Sequence, residues 1–316
     1  MVIARTLPRA GLDLLTERYA VDLGGDRVQQ AEVLERIAGA AAFVSDPVVT
    51  VDDELLDAAG PSLEVVSQFG VGYDNVDTAA LRRRGVRLVN TPDVLTDATA
   101  ELAVALMLAA ARRVVETDRI LRAGGWTGWE AEGFLGTQVS GAVVGLAGLG
   151  RIGRRTAEMI AGFGGELLYW SRAPVPGAEA ALGLRFVSWE ELLERSDVLS
   201  LHVPLGPDTR HLVDAAALAR MKPGAILVNT ARGALVDTAA LVAALRDGRL
   251  AAAGLDVYEN EPDVPPDLAA LPNTVLLPHT GSATRRTRDA MARLCAENVV
   301  AVLEGGEPPA EVDLSA

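Results

Sequence analysis

The chain has 316 residues, 49% of them hydrophobic and 23% charged, a globular composition that excludes extensive disorder. Its 43 acidic and 29 basic side chains give a formal net charge of −14, which disfavours nucleic acids and anionic membranes as partners. The single cysteine, Cys295, allows no intrachain disulfide, and no signal peptide or membrane-spanning run is recognisable, so we expect a cytoplasmic protein.

The first part of the chain alternates short apolar runs with helical patterns. Strands are predicted at residues 2–4, 41–44, 63–66 and 86–89. Helices are predicted at residues 11–19, 31–37, 51–59 and 78–84. This alternation predicts a mostly parallel sheet covered by helices on both faces.

One long helix, predicted within residues 93–113, breaks this rhythm and could bridge two domains. The Gly- and Trp-rich segment 123–141 has no clear period and is interpreted as an ordered excursion. A second series of strands follows at residues 143–146, 166–170, 198–203, 225–229, 252–256 and 275–277, before a last helix at 285–303. The fold class is therefore α/β, with two doubly wound parallel-sheet domains of Rossmann or flavodoxin type.

The second series opens with the pattern G-x-G-x-x-G at Gly148, Gly150 and Gly153, between an apolar strand and a helical pattern. The first glycine permits a tight turn, the second lets the backbone approach a pyrophosphate, and the third lets helix and strand pack closely. The N-terminus of the helix then offers N–H groups to the anion. This context predicts a dinucleotide site, and a purely structural turn is the alternative.

The strand after this turn ends in Ser171 and Arg172. A site that prefers NAD normally carries Asp or Glu here to bind the ribose 2′-hydroxyl group. Arginine can instead pair with a 2′-phosphate group. The pair therefore predicts NADPH in preference to NADH, and a merely solvated Arg172 is the alternative.

Polar side chains follow three late strands of the second series, namely Arg232, Glu261 and His279. In an open α/β sheet, ligands bind beyond the carboxyl ends of the strands. The set suits reduction of a 2-oxo acid, with His279 as proton donor, Glu261 orienting its ring, and Arg232 holding the substrate carboxylate. His202 and His211 are expected to be structural, and no Cys/His spacing predicts a metal site.

Six motifs run in order over nearly the whole chain, namely VGYDNVD, GLGRIG, LHVPL, MKPGAILVNTARG, GLDVYENEP and LLPHTGSAT. On these motifs the chain resembles the D-isomer-specific 2-hydroxyacid dehydrogenases. The resemblance implies a discontinuous substrate domain at residues 1–95 and 284–316. It implies a dinucleotide-binding domain at residues 96–283, with an active-site cleft between the two. It also implies catalytic roles for Arg232, Glu261 and His279.

The same resemblance implies binding residues. The backbone at Val71 and Gly72, together with Arg232, would bind the substrate. The implied cofactor contacts are Gly148, Leu149, Gly150, Arg151, Ile152, Gly153, Ser171, Arg172, Pro204, Thr230, Ala231, Asp256 and Gly281.

Within the family, FGVGYDNVD followed by NTPDVLTDATAELA is similar to the glyoxylate/hydroxypyruvate reductases. The expected activity is NAD(P)H-dependent reduction of a small 2-oxo acid, glyoxylate or hydroxypyruvate, to the 2-hydroxy acid. The segment around Trp126 and Trp129 would form the arm of a homodimer, with ordinary packing of the tryptophans as the alternative. Thr280 departs from the usual apolar residue after the histidine, which leaves the fine substrate preference open.

Two other functions remain as alternatives. One is another D-2-hydroxyacid dehydrogenase such as phosphoglycerate dehydrogenase, whose sequence differs in the TPDVLTD segment. The other, of a different class, is a nucleotide-sensing scaffold without enzymatic activity, which would not need an intact set of Arg232, Glu261 and His279.

Overall fold

The chain passes twice between two α/β units in the computed structural model, which describes residues 1–315. The first unit combines Met1–Leu95 with the residues from Ser282 onwards, and the second is Thr96–Gly281. The second boundary lies two residues before the predicted end of the inserted domain at residue 283.

Short parallel strands and surrounding helices make up both units. The strands are β1 Val2–Ile3, β2 Asp22–Leu23, β3 Ala42–Ser45, β4 Val65–Gln68, β5 Arg87–Val89, β6 Val144–Ala147, β7 Leu167–Trp170, β8 Arg185–Phe186, β9 Val198–Leu201, β10 Ala225–Asn229, β11 Leu250–Leu255 and β12 Thr274–Leu276. The helices are α1 Arg9–Thr16, α2 Gln30–Arg36, α3 Asp53–Ala59, α4 Thr78–Arg84, α5 Thr96–Ala111, α6 Val114–Arg122, α7 Arg151–Ile160, α8 Pro176–Leu182, α9 Trp189–Arg195, α10 Ala215–Arg220, α11 Thr238–Arg246, α12 Pro266–Ala269 and α13 Arg285–Leu303.

The first unit is built on a parallel sheet with the strand order β2-β1-β3-β4-β5. β3 and β4 are buried along their whole length, as central strands covered on both faces must be. Asp52 caps α3, because its side chain accepts a hydrogen bond from the N–H of Leu55. Cys295 on α13 is fully buried in the core of this unit, with Sγ 3.8 Å from the carbonyl oxygen of Gln68.

The second unit carries a seven-stranded parallel sheet with the order β12-β11-β10-β9-β6-β7-β8. The chain builds outward from β6 to β7 and β8, then returns to place β9 on the other side of β6. Such a reversal of strand order leaves a ligand-binding crevice at the carboxyl ends of the strands. The residues that follow β6, β9, β10, β11 and β12 therefore share one edge of the sheet.

Several elements were not predicted from the sequence, among them the helices α8 to α12. β2 and β8 have only two residues each, too few to show a period of two. α6 follows α5 directly and buries none of its side chains fully, although Val115 packs against the core. The predicted strand at 198–203 is also too long, because β9 ends at Leu201.

No helix among residues 1–315 combines the length and the apolar character that a membrane crossing requires. The cytoplasmic location expected from the sequence stays a prediction.

Candidate active site

The space around each of the three glycines in the turn after β6 is different. Gly148 has φ +100°, and a Cβ atom added there would lie 2.7 Å from the carbonyl carbon of His202. A Cβ added at Gly153 would overlap the carbonyl oxygen of Gly148, so helix and turn touch directly. At Gly150, by contrast, an added Cβ would meet no atom within 4 Å. The turn is thus closed on its protein side and open at Gly150.

The start of α7 completes a site for a phosphate group. Gly150 is the N-cap residue, and no side chain caps the helix. The first intrahelical hydrogen bond is donated by the N–H of Arg154 to the carbonyl of Gly150, so the earlier N–H groups have no acceptor within the helix. Such N–H groups, with the positive end of the helix dipole, bind anions. These residues therefore fit the pyrophosphate of a dinucleotide.

The end of β7 carries the side chains expected near the adenosine ribose. Ser171 Oγ donates to the carbonyl oxygen of Ala173 at 2.5 Å. Arg172 is exposed and makes no hydrogen bond or ion pair within residues 1–315. The nearby Glu179 is engaged with the hydroxyl group of Tyr169 at 2.5 Å. An exposed guanidinium group at this position can pair with a phosphate group.

His279 and Glu261 lie together beyond the ends of β12 and β11. Nδ1 of His279 is 2.7 Å from Oε2 of Glu261, and Oε1 of Glu261 accepts the N–H of Tyr258 at 2.9 Å. Burial alone would raise the pKa of Glu261, but the hydrogen bond and charge of His279, helped by Tyr258 and the charge of Arg232, lower it. Glu261 is therefore an ionised partner for the imidazole ring.

Asp256 holds the backbone turn that presents His279. His279 has φ +54°, a left-handed conformation that is uncommon for residues other than glycine. The carboxylate of Asp256 accepts the N–H of Thr280 and that of Gly281, both at 2.7 Å, and the Thr280 hydroxyl group at 3.2 Å. The N–H of His279 donates to the carbonyl of Asp256 at 2.9 Å. Sequence reasoning assigned Asp256 to the cofactor and missed this positioning role.

Asn229, which sequence reasoning also missed, shapes the turn that carries Arg232. It is the last residue of β10 and is buried. Its Nδ2 donates to the carbonyl of Arg232 at 2.8 Å, and its Oδ1 accepts the N–H of Ala231 at 3.0 Å. A polar residue at the end of a buried strand is a signal that could have indicated this role.

The next residue brings this turn against the segment that leads to Glu261. A Cβ added at Gly233 would overlap the backbone of Tyr258, so only glycine allows this approach. The charge of Arg232 acts on the pKa of Glu261, which also places the two side chains in one neighbourhood. The structure therefore brings Arg232, Glu261 and His279 together, as the strand-end pattern predicts.

The remaining predicted cofactor residues of the second unit follow the same strand ends. Oγ1 of Thr230 is buried and has no hydrogen-bond partner among the described residues. A buried hydroxyl group without a partner is costly and indicates a ligand or a water molecule. Pro204 is exposed, Ala231 is partly buried and Gly281 is buried. The orphaned hydroxyl group at Thr230 fits the nicotinamide side of a dinucleotide.

The other two histidines are engaged elsewhere. Nε2 of His202 lies 2.9 Å from Oγ of Ser200, and burial lowers the pKa of His202 to about 4, so this ring is neutral. Nε2 of His211 lies 2.7 Å from Oε1 of Glu259. Within residues 1–315, no group of three or more His, Cys, Asp or Glu side chains could hold a metal ion.

Val71 and Gly72 lie in the first unit, in the loop that follows β4. The N–H groups of both residues donate no hydrogen bond within the described chain. Adjacent N–H groups of this kind can donate hydrogen bonds to an anion.

A dinucleotide turn at a strand-order reversal, with a histidine–carboxylate pair on the same sheet edge, defines a nicotinamide-dependent dehydrogenase. Comparison with known proteins narrows the class. The sequence model of the D-isomer specific 2-hydroxyacid dehydrogenase, NAD binding domain, matches residues 104–281. The chain belongs to this family of NAD(P)-dependent oxidoreductases, and within it to the glyoxylate reductase-like branch. The family and the two-domain α/β fold predicted from the sequence are confirmed.

Several relatives are similar over almost their whole length. A glyoxylate reductase of Thermococcus litoralis is 45% identical over 313 residues, covering 97% of this chain and 94% of the relative. The crystal structure of a protein from Thermus thermophilus matches with a TM-score of 0.92 at 48% identity, covering 98% and 99% of the two chains. An NADPH-dependent glyoxylate/hydroxypyruvate reductase from Sinorhizobium meliloti, solved with NADP and malonate, has a TM-score of 0.89 at 36% identity, covering 99% and 96%.

Proposed function

We propose that the protein reduces glyoxylate, and hydroxypyruvate as a second substrate, to the corresponding 2-hydroxy acids. The observation that carries the proposal is the hydrogen bond of 2.7 Å between His279 and Glu261, on the same sheet edge as the glycine turn. The names of the relatives support the choice of substrate, since the proteins from Thermococcus litoralis and Sinorhizobium meliloti are both called glyoxylate reductases.

A dinucleotide held at the glycine turn and at Thr230 would supply the hydride for the carbonyl carbon of the substrate. Because Nδ1 of His279 is held by Glu261, Nε2 is the ring nitrogen that gives a proton to the carbonyl oxygen. The ionised Glu261 stabilises the protonated ring before transfer. Arg232 binds the substrate through its guanidinium group, and the N–H groups of Val71 and Gly72 bind the carboxylate.

NADPH is the proposed reducing cofactor, in preference to NADH. The support comes from the exposed Arg172 and the neutral Ser171 at the end of β7, where no carboxylate would repel a 2′-phosphate group. The relative from Sinorhizobium meliloti is described as NADPH-dependent and was solved with NADP.

The partner we propose is a second copy of the chain. The segment around the two tryptophans carries large apolar side chains that face solvent, with Trp126 57%, Trp129 84% and Leu135 66% exposed. Monomeric proteins rarely leave such a group uncovered, so a homodimer that buries this arm is expected. Light scattering during gel filtration tests it, since a mass equal to one chain would contradict the dimer.

The deciding experiment compares initial rates of NADPH and NADH oxidation with glyoxylate, then with hydroxypyruvate, on the purified protein. Fast turnover with NADPH and slow turnover with NADH is the expected result. Faster turnover with NADH would retain the reaction and contradict the cofactor preference. Absence of turnover with both substrates and both cofactors would contradict the proposed function.

A further inference from the structure

The loop that follows β4, residues 70–75, is held by donors from outside it. We call this segment the carboxylate loop. Three consecutive carbonyl groups each accept one hydrogen bond. The carbonyl of Gly70 accepts the N–H of Thr91 at 3.0 Å, and the carbonyl of Val71 accepts Nδ2 of Asn90 at 2.9 Å. The carbonyl of Gly72 accepts Nε2 of Gln68 at 3.2 Å. All three carbonyl groups therefore point into the first unit.

This pattern also decides the direction of the N–H groups. A trans peptide is planar, so the carbonyl of one residue and the N–H of the next point in opposite directions. An inward carbonyl at Gly70 turns the N–H of Val71 outward, and an inward carbonyl at Val71 turns the N–H of Gly72 outward. The inward carbonyl at Gly72 does the same for the N–H of Tyr73. None of these three N–H groups donates a hydrogen bond within residues 1–315.

Two of the three donors are side-chain amides in the core. Gln68 is 0% and Asn90 is 8% exposed. Burying a side-chain amide is costly unless it forms hydrogen bonds, and an apolar side chain would fill the same space without that cost. Nε2 of Gln68 reaches the loop a second time, since it lies 3.0 Å from Oδ1 of Asn75. Both amides donate hydrogen bonds to the carboxylate loop, and an apolar side chain in place of either one could not do so.

Asn90 is itself anchored on both sides of its backbone. Its carbonyl accepts Nδ2 of Asn298 at 3.0 Å, and its N–H donates to the carbonyl of Ala310 at 3.3 Å. Asn298, which is 0% exposed, also accepts the N–H of Ala310 at 2.9 Å. The Asn90 side chain is therefore aimed from a fixed backbone, whereas Asn298 makes no contact of this kind with the carboxylate loop.

We propose that Asn90 and Gln68 are positioning residues for the carboxylate group of the 2-oxo acid. Asn90 orients the peptide whose N–H belongs to Gly72, and Gln68 orients the next peptide, whose N–H belongs to Tyr73. This inference rests on the proposed function, in which the N–H groups of Val71 and Gly72 bind the substrate carboxylate, and it adds the N–H group of Tyr73 to that pair. Neither amide touches the reacting atoms.

The test uses Asn90→Ala and Gln68→Met, with Asn273→Ala as the matched control. The Asn273 amide donates to the carbonyl groups of Leu245 and Ala251 in the second unit and to none in the carboxylate loop. Gln68→Met keeps the length of the side chain and removes its donor, so it remains informative if the first variant folds poorly. The KM and kcat for glyoxylate are measured at saturating NADPH, together with the Ki of oxamate, a 2-oxo acid analogue that retains the carboxylate. NADPH binding, followed by fluorescence, reports on the second unit and serves as an internal control.

Both test variants should raise the KM for glyoxylate and the Ki of oxamate by about tenfold or more, the effect of losing one hydrogen bond to a charged group. Their kcat and NADPH affinity should change less than about twofold. Asn273→Ala should lower the melting temperature without raising KM. An unchanged KM in both test variants, or an equal rise in Asn273→Ala, would overturn the inference while the wild-type turnover still supports the proposed function. A wild-type protein that neither turns over glyoxylate nor binds oxamate would overturn both.

Discussion

Replacing Glu261 by Gln removes one negative charge and leaves the shape of the side chain almost unchanged. In the structure, Oε2 of Glu261 lies 2.7 Å from Nδ1 of His279, and Oε1 accepts the N–H of Tyr258. The lowered pKa of Glu261 keeps this carboxylate charged throughout the neutral range, and its charge is lost only as the pH falls into the acid range. An amide in its place carries no charge to pair with the imidazole ring that gives up the proton. Reduction should therefore be slower in the variant than in the wild type.

The size of the loss follows from the geometry of this pair. A hydrogen bond between charged groups contributes about 1.5–3 kcal/mol, and about 1.4 kcal/mol corresponds to a tenfold change in rate. The side chains of Glu261 and His279 are 25% and 36% exposed, so water screens part of the interaction and the lower end applies. We therefore expect kcat/KM for glyoxylate to fall by about tenfold.

The assay is the initial rate of NADPH oxidation with glyoxylate at neutral pH, where Glu261 of the wild type is ionised. Glu259→Gln is the matched control, because Glu259 lies two residues away and pairs with Arg210 and His211 instead. The control should keep the wild-type kcat/KM. An unchanged kcat/KM in Glu261→Gln, or an equal fall in Glu259→Gln, would refute the reasoning.

Three further outcomes are expected. His279→Ala should lower kcat by about 10²–10⁴-fold, the usual loss for a general acid, while the affinity for NADPH stays unchanged. An unchanged kcat would contradict the proton-donor role. Ser171→Asp should lower the ratio of kcat/KM for NADPH to kcat/KM for NADH by at least about tenfold, because a carboxylate repels the 2′-phosphate group. An unchanged ratio would contradict the interpretation that Ser171 and Arg172 favour NADPH. Gly233→Ala should lower the free energy of unfolding by about 1–3 kcal/mol in a urea titration, and it should reduce kcat/KM, because the added methyl group overlaps the backbone of Tyr258. An unchanged free energy of unfolding would contradict that close approach.

The arrangement of Arg232, Glu261 and His279 could be anticipated because parallel strands meet at one edge of a sheet. Each residue follows the end of its own buried apolar run, and in an open α/β sheet those ends share the ligand-binding edge. The glycine turn could be recognised for a similar reason. The three glycines answer local steric demands within a few residues of one another, and such demands leave a short motif in the sequence.

No comparable local pattern in the sequence indicated that Asp256 and Asn90 hold the site in place. Asp256 supports His279 from 23 positions away, and Asn90 supports Val71 from 19 positions away, through hydrogen bonds that exist only after the loops have packed. A buried Asn or Gln does not differ, as a letter in the sequence, from an exposed one. Its partners are decided by the path of two separate loops, and no periodic pattern reports them.

The sequence alone therefore determined the α/β class, the strand-end positions of Arg232, Glu261 and His279, and the glycine turn, because each depends on local patterns and on the general geometry of parallel sheets. Only the tertiary structure decided how those side chains are held. The left-handed turn at His279 depends on the carboxylate of Asp256, and the outward N–H groups of the carboxylate loop depend on the amides of Gln68 and Asn90. These contacts join segments whose proximity arises from packing of the whole domain, and for that reason they become visible only in three dimensions.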